Sequence, residues 1–305
     1  MKKLMYALPK YLAVVPLALA VFFIVSALYV NEPAACVGYG GMFYKSSETI
    51  LGLDHYWFFL FLGVVVTVIF SFLRRKKYGL SIPLSIIYTV FFFVQALLGA
   101  KLLFGLERVF ATGSFSDFNM SGQSLYGGIF MSALYAPAFA LLSRKKCFMM
   151  YDYTAPYGMI LLAFCRMGCF ADGCCGARLM YIDGKPLYLP VQLFEMTTDL
   201  IILALLFYWE EKKLNWHKIT DENQKKPSPY NGVLFFVMLM AYGTCRFFFE
   251  FIRVNSKVFL GMSFGQIYSI LFVLLGAAVL YYQYKKRVQS DTKHKKQPKK
   301  KQIQA

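Results

Sequence analysis

The chain has 305 residues, 58% of them hydrophobic, and a formal net charge of +17. Apolar residues in this proportion, gathered in long uninterrupted runs, exclude an ordinary soluble domain and indicate an integral membrane protein. The positive charge does not indicate nucleic-acid binding, because lysine and arginine form short clusters between the apolar runs, at 2–10, 74–77, 144–146, 212–226 and 285–287.

Eight apolar runs are long enough for membrane-spanning helices, which need about 20 residues each. They lie at 11–30, 56–73, 80–104, 125–143, 153–170, 190–209, 231–252 and 264–284. Eight spans place both termini on one side, and every basic cluster then falls on that side, which the positive-inside rule identifies as the cytoplasm. The outer loops are predicted at 31–54, 105–124, 171–189 and 253–263. The sequence therefore predicts an all-α polytopic membrane protein with about eight transmembrane helices.

The two ends of the chain leave alternatives open. Residues 11–30 could be a signal peptide with a cleavage site near NEPAAC, but the apolar run is long for one, and we favour a retained helix. The C-terminal KHKKQPKKKQ could contact a nucleic acid, whereas a solvated basic tail that meets anionic lipid is the ordinary explanation of such a segment. We therefore expect membrane lipid, and no nucleic acid, as its partner.

The segment YGTCRFFFEFIR, in the seventh span, holds ionisable side chains in apolar surroundings, where they are costly unless paired or hydrated. Tyr242, Arg246 and Glu250 recur every four residues and share one helical face, and Arg253 follows on the same side. One interpretation is an internal ion pair that fixes helix packing. Two arginines for one glutamate leave a positive charge, however, and the forked guanidinium suits phosphate. The stripe thus favours binding of a phosphate or a lipid headgroup.

Further polar residues are predicted at the same depth, the outer boundary of the membrane. Arg166 lies near the outer end of the fifth span, Lys101 lies late in the third, and PVQLFE opens the sixth with Gln192 and Glu195. Each of them alone could be an anchor at a helix end. Together they predict a binding site for an anion beside the outer-leaflet lipid.

The segment CRMGCFADGCCGA contains four of the seven cysteines: Cys165, Cys169, Cys174 and Cys175. It lacks C-x-x-C knuckles, and two adjacent cysteines are poorly disposed to share one tetrahedral ion, so the spacing argues against a metal. A disulfide from Cys169 to Cys174 or Cys175 is an alternative on an outer surface, and Cys165 suits a small buried position. The glycines indicate a tight turn at which the backbone approaches another group.

Taken together, these motifs resemble the prolipoprotein diacylglyceryl transferase family. CRMGCFADGCCGA is similar to the family's Gly-Arg-x-Gly-Asn-Phe-x-Asn-Gly-Glu signature, and YGTCRFFFEFIR is similar to its Tyr-x-x-x-Arg-x-x-x-Glu-x-x-Arg segment. PVQLFE, LLGAKLLF, SFGQIYS and SGQSLYGGIF resemble further family motifs in the same order along the chain. The resemblance divides the chain into an added helix and outer loop at 1–49, a transferase-like transmembrane domain at 50–285 and a basic cytoplasmic tail at 286–305.

The resemblance implies an enzyme that transfers a diacylglyceryl group from phosphatidylglycerol to the cysteine thiol of a lipoprotein precursor, with loss of glycerol phosphate. By matched position, Arg166 and Arg246 would bind the phosphate, Tyr242 would orient the headgroup, and Glu250 with Arg253 would hold the stripe together. The other matched positions would line the substrate site: Lys101, Gln192, Glu195, Cys169 and Asp172. No metal or organic cofactor is implied. The active site would face outward from a bacterial-type plasma membrane.

Several positions depart from the family pattern. Tyr126 replaces the motif histidine and becomes the catalytic candidate there, although tyrosine, with a reference pKa of about 10, is a poorer base at neutral pH. Cys169 and Asp172 replace asparagines, Cys174 replaces the glutamate, and Lys101 replaces an arginine. The phosphate-binding half of the family's active site is thus retained, and the half that activates the nucleophile is altered. Two alternatives follow: a non-catalytic lipid-binding or lipid-translocating protein, and an enzyme gated by oxidation of its cysteines.

Overall fold

The computed structural model describes residues 52–145, 147–172, 174–176, 180–182, 185–187, 190–212, 232–254 and 257–296, with two isolated positions nearer the N terminus. Seven long helices account for most of them: α1 (His55–Arg74), α2 (Ile82–Thr112), α3 (Leu125–Leu142), α4 (Cys147–Ala171), α5 (Val191–Lys212), α6 (Val233–Ile252) and α7 (Phe264–Lys296). Short 3-10 turns at Arg75–Tyr78 and Phe115–Asp117 follow α1 and α2, and an antiparallel hairpin of β1 (Met180–Ile182) and β2 (Lys185–Leu187) lies between α4 and α5. The predicted first span, 11–30, lies outside the described residues.

Each of the seven helices is long and apolar enough to cross a membrane, which confirms helices at the seven predicted spans from 56 to 284. Two bounds differ from the prediction. α2 runs on through the start of the predicted outer loop 105–124 and ends where Gly113, in the left-handed region at φ 74°, donates its N–H to Val109 O at 2.8 Å. α4 begins at Cys147, well before the predicted start at 153, because its early polar side chains are buried inside the bundle.

Helix α4 is the centre of the bundle: 78% of its span is buried, compared with 22% for α1. It packs against α1, α3, α5 and α6, whereas α2 packs mainly on α3, and α7 packs mainly on α6. One apolar core surrounds Met159 and Met196, and a second, aromatic core surrounds Tyr88, Tyr153 and Tyr157. Polar side chains on α4 therefore face other helices instead of lipid, which allows them to be paired.

Helices α2 and α3 approach closely through two glycines. A Cβ atom on Gly127 would overlap the carbonyl oxygen of Gly99, and a Cβ atom on Gly99 would overlap Met131. Small residues at such crossings let helix backbones come together in membranes, where apolar burial gives little driving force. The pair therefore fixes the position of the α3 N terminus, which carries Tyr126.

We expect Gly127→Ala to lower the free energy of unfolding by about 1–3 kcal/mol, because the added methyl group overpacks the crossing. Gly158→Ala on α4 is the control, since its new Cβ would meet only Met238 Sδ, at 3.7 Å. Denaturant or thermal unfolding of both variants in one detergent measures the difference. Equal stability of the two variants would contradict the close crossing.

A buried polar cluster around Arg74 joins α1, α4 and α5. Arg74 is 4% exposed, forms an ion pair with Glu210 and donates to Tyr153 O at 2.9 Å. Tyr78 donates its hydroxyl to the same carboxylate at 2.9 Å, and Asp152 accepts from the first N–H groups of α6. Arg74, the first residue of the basic cluster at 74–77, is therefore paired inside the bundle.

Candidate active site

The predicted site residues come together at one end of the bundle, which we call the Glu195 end. It consists of the ends of α2, α4 and α6 and the beginnings of α1, α3, α5 and α7. These termini meet because successive spanning helices run in opposite directions. The Arg74 cluster occupies the opposite end.

Glu195, near the start of α5, is the centre of the site. Its buried carboxylate meets Arg166 Nε at 2.7 Å, Arg253 Nη1 at 3.3 Å and Arg246 Nη1. Arg166 belongs to α4, Arg246 to α6, and Arg253 caps the end of α6. One carboxylate thus holds three guanidinium groups from two other helices in one place.

Glu250 is a second anchor for the same arginines. It pairs with Arg246 Nη2, lies 3.9 Å from Arg253 Nε, and accepts from Ser263 Oγ at 2.7 Å. Gly265 at the start of α7 makes room for it, because a Cβ there would lie 2.5 Å from the carboxylate carbon. The structure therefore places the whole α6 stripe on one buried face, as its spacing predicts.

Asp199 is a site residue that the motifs do not reveal. It lies one turn after Glu195, and its Oδ2 is buried without a hydrogen-bond partner among the described residues. With Arg166, Tyr242 and Arg246 it lines a cavity of about 10 Å³, which has room for one water molecule. The i, i+4 spacing of two carboxylates in an apolar span was the available signal, the same signal that identified the α6 stripe.

Tyr242 separates this small polar cavity from a larger apolar one. The apolar cavity has a volume of about 100 Å³ and is lined by α2, α3, α4 and α6, with Ile129, Met159 and Leu239 in its wall. Tyr242 borders both cavities, and its buried hydroxyl has no hydrogen-bond partner in the described structure. A hydroxyl in this position can bond a ligand that has both a charged head and an apolar chain.

Tyr126, at the start of α3, is held by α7. Its hydroxyl donates to Gly265 O at 2.8 Å, lies 3.1 Å from Ser269 Oγ, and is within hydrogen-bonding reach of Arg246. Its ring packs on Tyr268, with 4.8 Å between the ring centroids. Because the phenolic proton is directed at a backbone carbonyl, Tyr126 in this arrangement positions Arg246 and α7.

The turn after α4 brings three cysteine thiols together. The Sγ atoms of Cys169, Cys174 and Cys175 all lie within 4.8 Å of one another. Cys175 adopts the left-handed conformation at φ 60°, which is uncommon for a residue other than glycine and lets two adjacent side chains turn to the same side. The turn therefore brings adjacent cysteines, whose spacing alone disfavours a shared ion, to distances at which they could bind one. The cysteines in the described part of the chain are free thiols, without the disulfide considered above.

Hydrogen bonds hold this turn against α5. Cys174 donates its N–H to Cys169 O at 3.0 Å, and the buried Gln192 donates its amide to Cys174 O at 2.6 Å. Hydrogen bonds from Cys169 and Cys174, with the nearby Arg253 guanidinium, lower the pKa of the Cys175 thiol well below its usual value. The pKa of Cys174 is raised to about 12: its contact with Cys169 lowers it, but its bond to Cys175 and its burial raise it by more.

Comparison with known proteins identifies the family. The family model for prolipoprotein diacylglyceryl transferase matches residues 48–282. The chain belongs to this family. Phosphatidylglycerol–prolipoprotein diacylglyceryl transferase 2 of Clostridium perfringens is 26% identical over 250 residues, which cover 76% of this chain and 91% of that protein. The transferase of Finegoldia magna is 25% identical over 258 residues (80% and 98%), and that of Vibrio campbellii is 30% identical over 189 residues (56% and 64%).

Membership of the diacylglyceryl transferase family agrees with the seven spanning helices and makes the chain a multi-pass membrane protein. Two further residues that the family motifs suggest for the substrate site lie in α2 and just after the end of α4. Lys101 donates Nζ to Met120 O at 3.1 Å, and none of the ion pairs in the described ranges includes it. Asp172 is exposed at the end of α4, where its N–H donates to Gly168 O at 2.9 Å.

Proposed function

We propose that this protein transfers the diacylglyceryl group of phosphatidylglycerol to a cysteine thiol, with lipoprotein precursors as acceptors. The observation that carries the proposal is the convergence of Arg166, Arg246 and Arg253 at one end of the bundle, next to an apolar cavity. A phospholipid requires this combination of a basic site for its phosphate and apolar space for its acyl chains. The relatives that align with 76% and 80% of this chain are named for the same reaction.

The reaction replaces one bond, at the carbon of the diacylglyceryl group that is bonded to the phosphate oxygen. The thiol sulfur attacks this carbon, a C–S bond forms, and the C–O bond to the phosphate breaks. Glycerol phosphate leaves, and the thiol proton leaves with it or passes to water, since a phosphate monoester has a second pKa of about 6. Arg166 and Arg246 would stabilise the negative charge that develops on the leaving oxygen.

The headgroup must compete with Glu195 for these arginines. The cavity beside them holds about one water molecule, so it is too small for a phosphate while the three ion pairs of Glu195 are complete. Arg246 Nε and the Tyr242 hydroxyl are buried without hydrogen-bond partners in the described ranges, and they offer two donors for the first contact. We therefore expect binding to shift the arginines from the carboxylate towards the phosphate while Glu250 keeps hold of Arg246.

The opposite end of the bundle supports an outward-facing site. Basic clusters at 74–77 and 144–146 flank helix ends on the Arg74 side, and 285–287 follows the membrane-spanning part of α7; none of the equivalent positions on the Glu195 side carries a cluster of this kind within the described residues. By the positive-inside rule the Arg74 end faces the cytoplasm. The Glu195 end then faces outward from a bacterial-type plasma membrane, where secreted precursors emerge.

A transfer assay tests the proposed function. The purified full chain is incubated with labelled phosphatidylglycerol and a peptide that contains a lipobox cysteine, and mass spectrometry detects the added diacylglyceryl group. We expect a thioether product with the cysteine peptide and none with a matched serine peptide. Absence of product under conditions in which the Clostridium perfringens relative produces it would reject the acceptor, as would failure to complement a bacterial strain that lacks its own transferase.

The hydrogen bond of Tyr126 favours a second candidate function, that of a lipid-binding or lipid-translocating protein without transferase activity, because the hydroxyl is engaged as a donor.

Tyr126→Phe separates the roles of this residue. If the hydroxyl only positions Arg246 and α7, transfer should fall by about 5-fold to 10-fold, in line with one hydrogen bond of about 1 kcal/mol, and the pH profile should not move. Loss of all transfer together with a shifted pH profile would show that Tyr126 exchanges the thiol proton. Phosphatidylglycerol binding without product in the unchanged protein would select the second candidate.

A further inference from the structure

Three soft metal ligands lie next to the arginines and have no part in the transfer proposed above. We propose that Cys169, Cys174 and Cys175 bind a divalent ion of the zinc class as three thiolates, and that the fourth coordination position is open to the acceptor thiol. The ion site does not depend on the proposed function. The coordination of the acceptor thiol to the ion does rest on the proposed function.

The sulfur positions fit such an ion. Zinc binds thiolates at about 2.3 Å, which places the sulfurs of a tetrahedral site about 3.8 Å apart. The three Sγ atoms already lie within 4.8 Å of one another, so shifts of about 1 Å or less bring them to the ion. The turn is preformed by the Cys174–Cys169 backbone bond and by Gln192, so that binding requires little rearrangement of the chain.

The surrounding charge also suits a thiolate site. Three thiolates and one divalent ion carry a net charge of −1. Arg253 lies beside this turn, because the next residue, Val254, donates its N–H to Gly176 O at 3.5 Å, and a nearby guanidinium stabilises a thiolate. The ion-pair cluster contains three arginines and two glutamates, so it carries a net positive charge beside the thiols. The two groups would stabilise each other in surroundings of low dielectric constant.

An open fourth position would supply the activation that Tyr126 does not. Structural zinc sites have four protein ligands, whereas catalytic sites have three and leave one position for water or substrate. Among the described residues three thiols form the group, and the exposed Cys175 makes the group reachable from solvent. A thiol that coordinates the ion displaces water and gives its proton to solvent. Its sulfur then attacks the glycerol carbon, glycerol phosphate leaves, and the thioether, a weak ligand, dissociates.

Cadmium is the probe for the ion site, because its thiolate complexes absorb in the ultraviolet. Titration of the reduced, detergent-solubilised full chain with Cd²⁺ should produce a charge-transfer band that saturates at one ion per chain. The band should be lost in Cys169→Ser and in Cys174→Ser and retained in Cys147→Ser, which changes a thiol at the other end of α4. A band of undiminished size in the first two variants would overturn the proposal.

A measurement on the unchanged protein does not depend on whether the variants fold. Alkylation with and without Zn²⁺, mapped by mass spectrometry, should show Cys169, Cys174 and Cys175 protected together by one equivalent of the ion, and Cys147 not protected. Equal alkylation with and without the ion would reject the site. A thiol count that is two short before any metal is added, and is restored by reductant, would also reject it, because it shows a disulfide instead.

Coordination of the acceptor thiol to the ion is tested on the Cd²⁺-loaded protein. A lipobox cysteine peptide should intensify the thiolate band and release one proton, and the matched serine peptide should do neither. If the cysteine peptide leaves the band unchanged while transfer proceeds, the open-position role is wrong and the proposed function stands. If metal binds and no transfer occurs with any acceptor, the proposed function fails and the ion site stands.

Discussion

Transfer from phosphatidylglycerol to a lipobox peptide is expected to fall about 100-fold or more in Arg246→Lys, because one ammonium group cannot replace the donors of a guanidinium. In the structure Nη1 pairs with Glu195, Nη2 pairs with Glu250, and Nε, which has no hydrogen-bond partner among the described residues, would be available to the proposed phosphate. Lysine keeps the positive charge but can satisfy one of these partners at a time. Initial rates at saturating peptide measure the loss.

Arg108→Lys is the matched control for this variant. Arg108 is exposed near the end of α2, at the same end of the bundle. The transfer rate of Arg108→Lys should stay within about 2-fold of that of the unchanged protein, as for most surface substitutions. Arg246→Ala should be inactive while it keeps its helical content. Full activity in a folded Arg246→Ala protein would refute the role of the arginines in binding the phosphate.

Glu195→Gln is expected to lower the free energy of unfolding by about 3 kcal/mol or more. The amide would remove the charged partner of Arg166 and leave Arg246 and Arg253 with Glu250, and an unpaired buried charge is among the most costly defects in a protein. Thermal or denaturant unfolding in detergent measures the effect. Asp54→Asn is the control, since this exposed side chain precedes α1 without making a capping hydrogen bond.

Inorganic phosphate distinguishes an anion site from a purely structural ion cluster. An anion that replaces the missing carboxylate should raise the melting temperature of Glu195→Gln more than that of the unchanged protein. Chloride at equal ionic strength controls for screening. An equal response of Glu195→Gln and Asp54→Asn to phosphate would mean that the arginines do not form an anion site.

The α6 stripe shows what the sequence determines directly. Tyr242, Arg246 and Glu250 share a face because helical periodicity alone places them there, and the apolar runs locate the seven described spans. The central place of Glu195 does not follow from spacing. It depends on how α5 is rotated against α4 and α6, and the packing of the whole core decides that rotation. Asp199 could have been found, because its spacing from Glu195 follows the rule already applied to α6.

Arg74 and Cys175 show where local rules fail. The positive-inside rule counts charges near helix ends, and it contains no information about a partner such as Glu210 far along the chain. The argument against a shared ion assumed ordinary backbone geometry for Cys175, and a left-handed conformation at a residue other than glycine is uncommon. Neither the tertiary contact of Arg74 nor the backbone conformation of Cys175 can be read from spacing alone.

The ion pair of Arg74 and Glu210 has a consequence for the order in which the chain enters the membrane. The two residues are 136 positions apart, so α1 is inserted long before α5 has been synthesised. Until then we expect the charge of Arg74 to keep its helix end at the aqueous boundary and to help orient α1. The arrival of Glu210 would neutralise that charge and allow α4 and α5 to enclose it. One side chain would thus serve first as a topology signal during biosynthesis and afterwards as part of the protein interior.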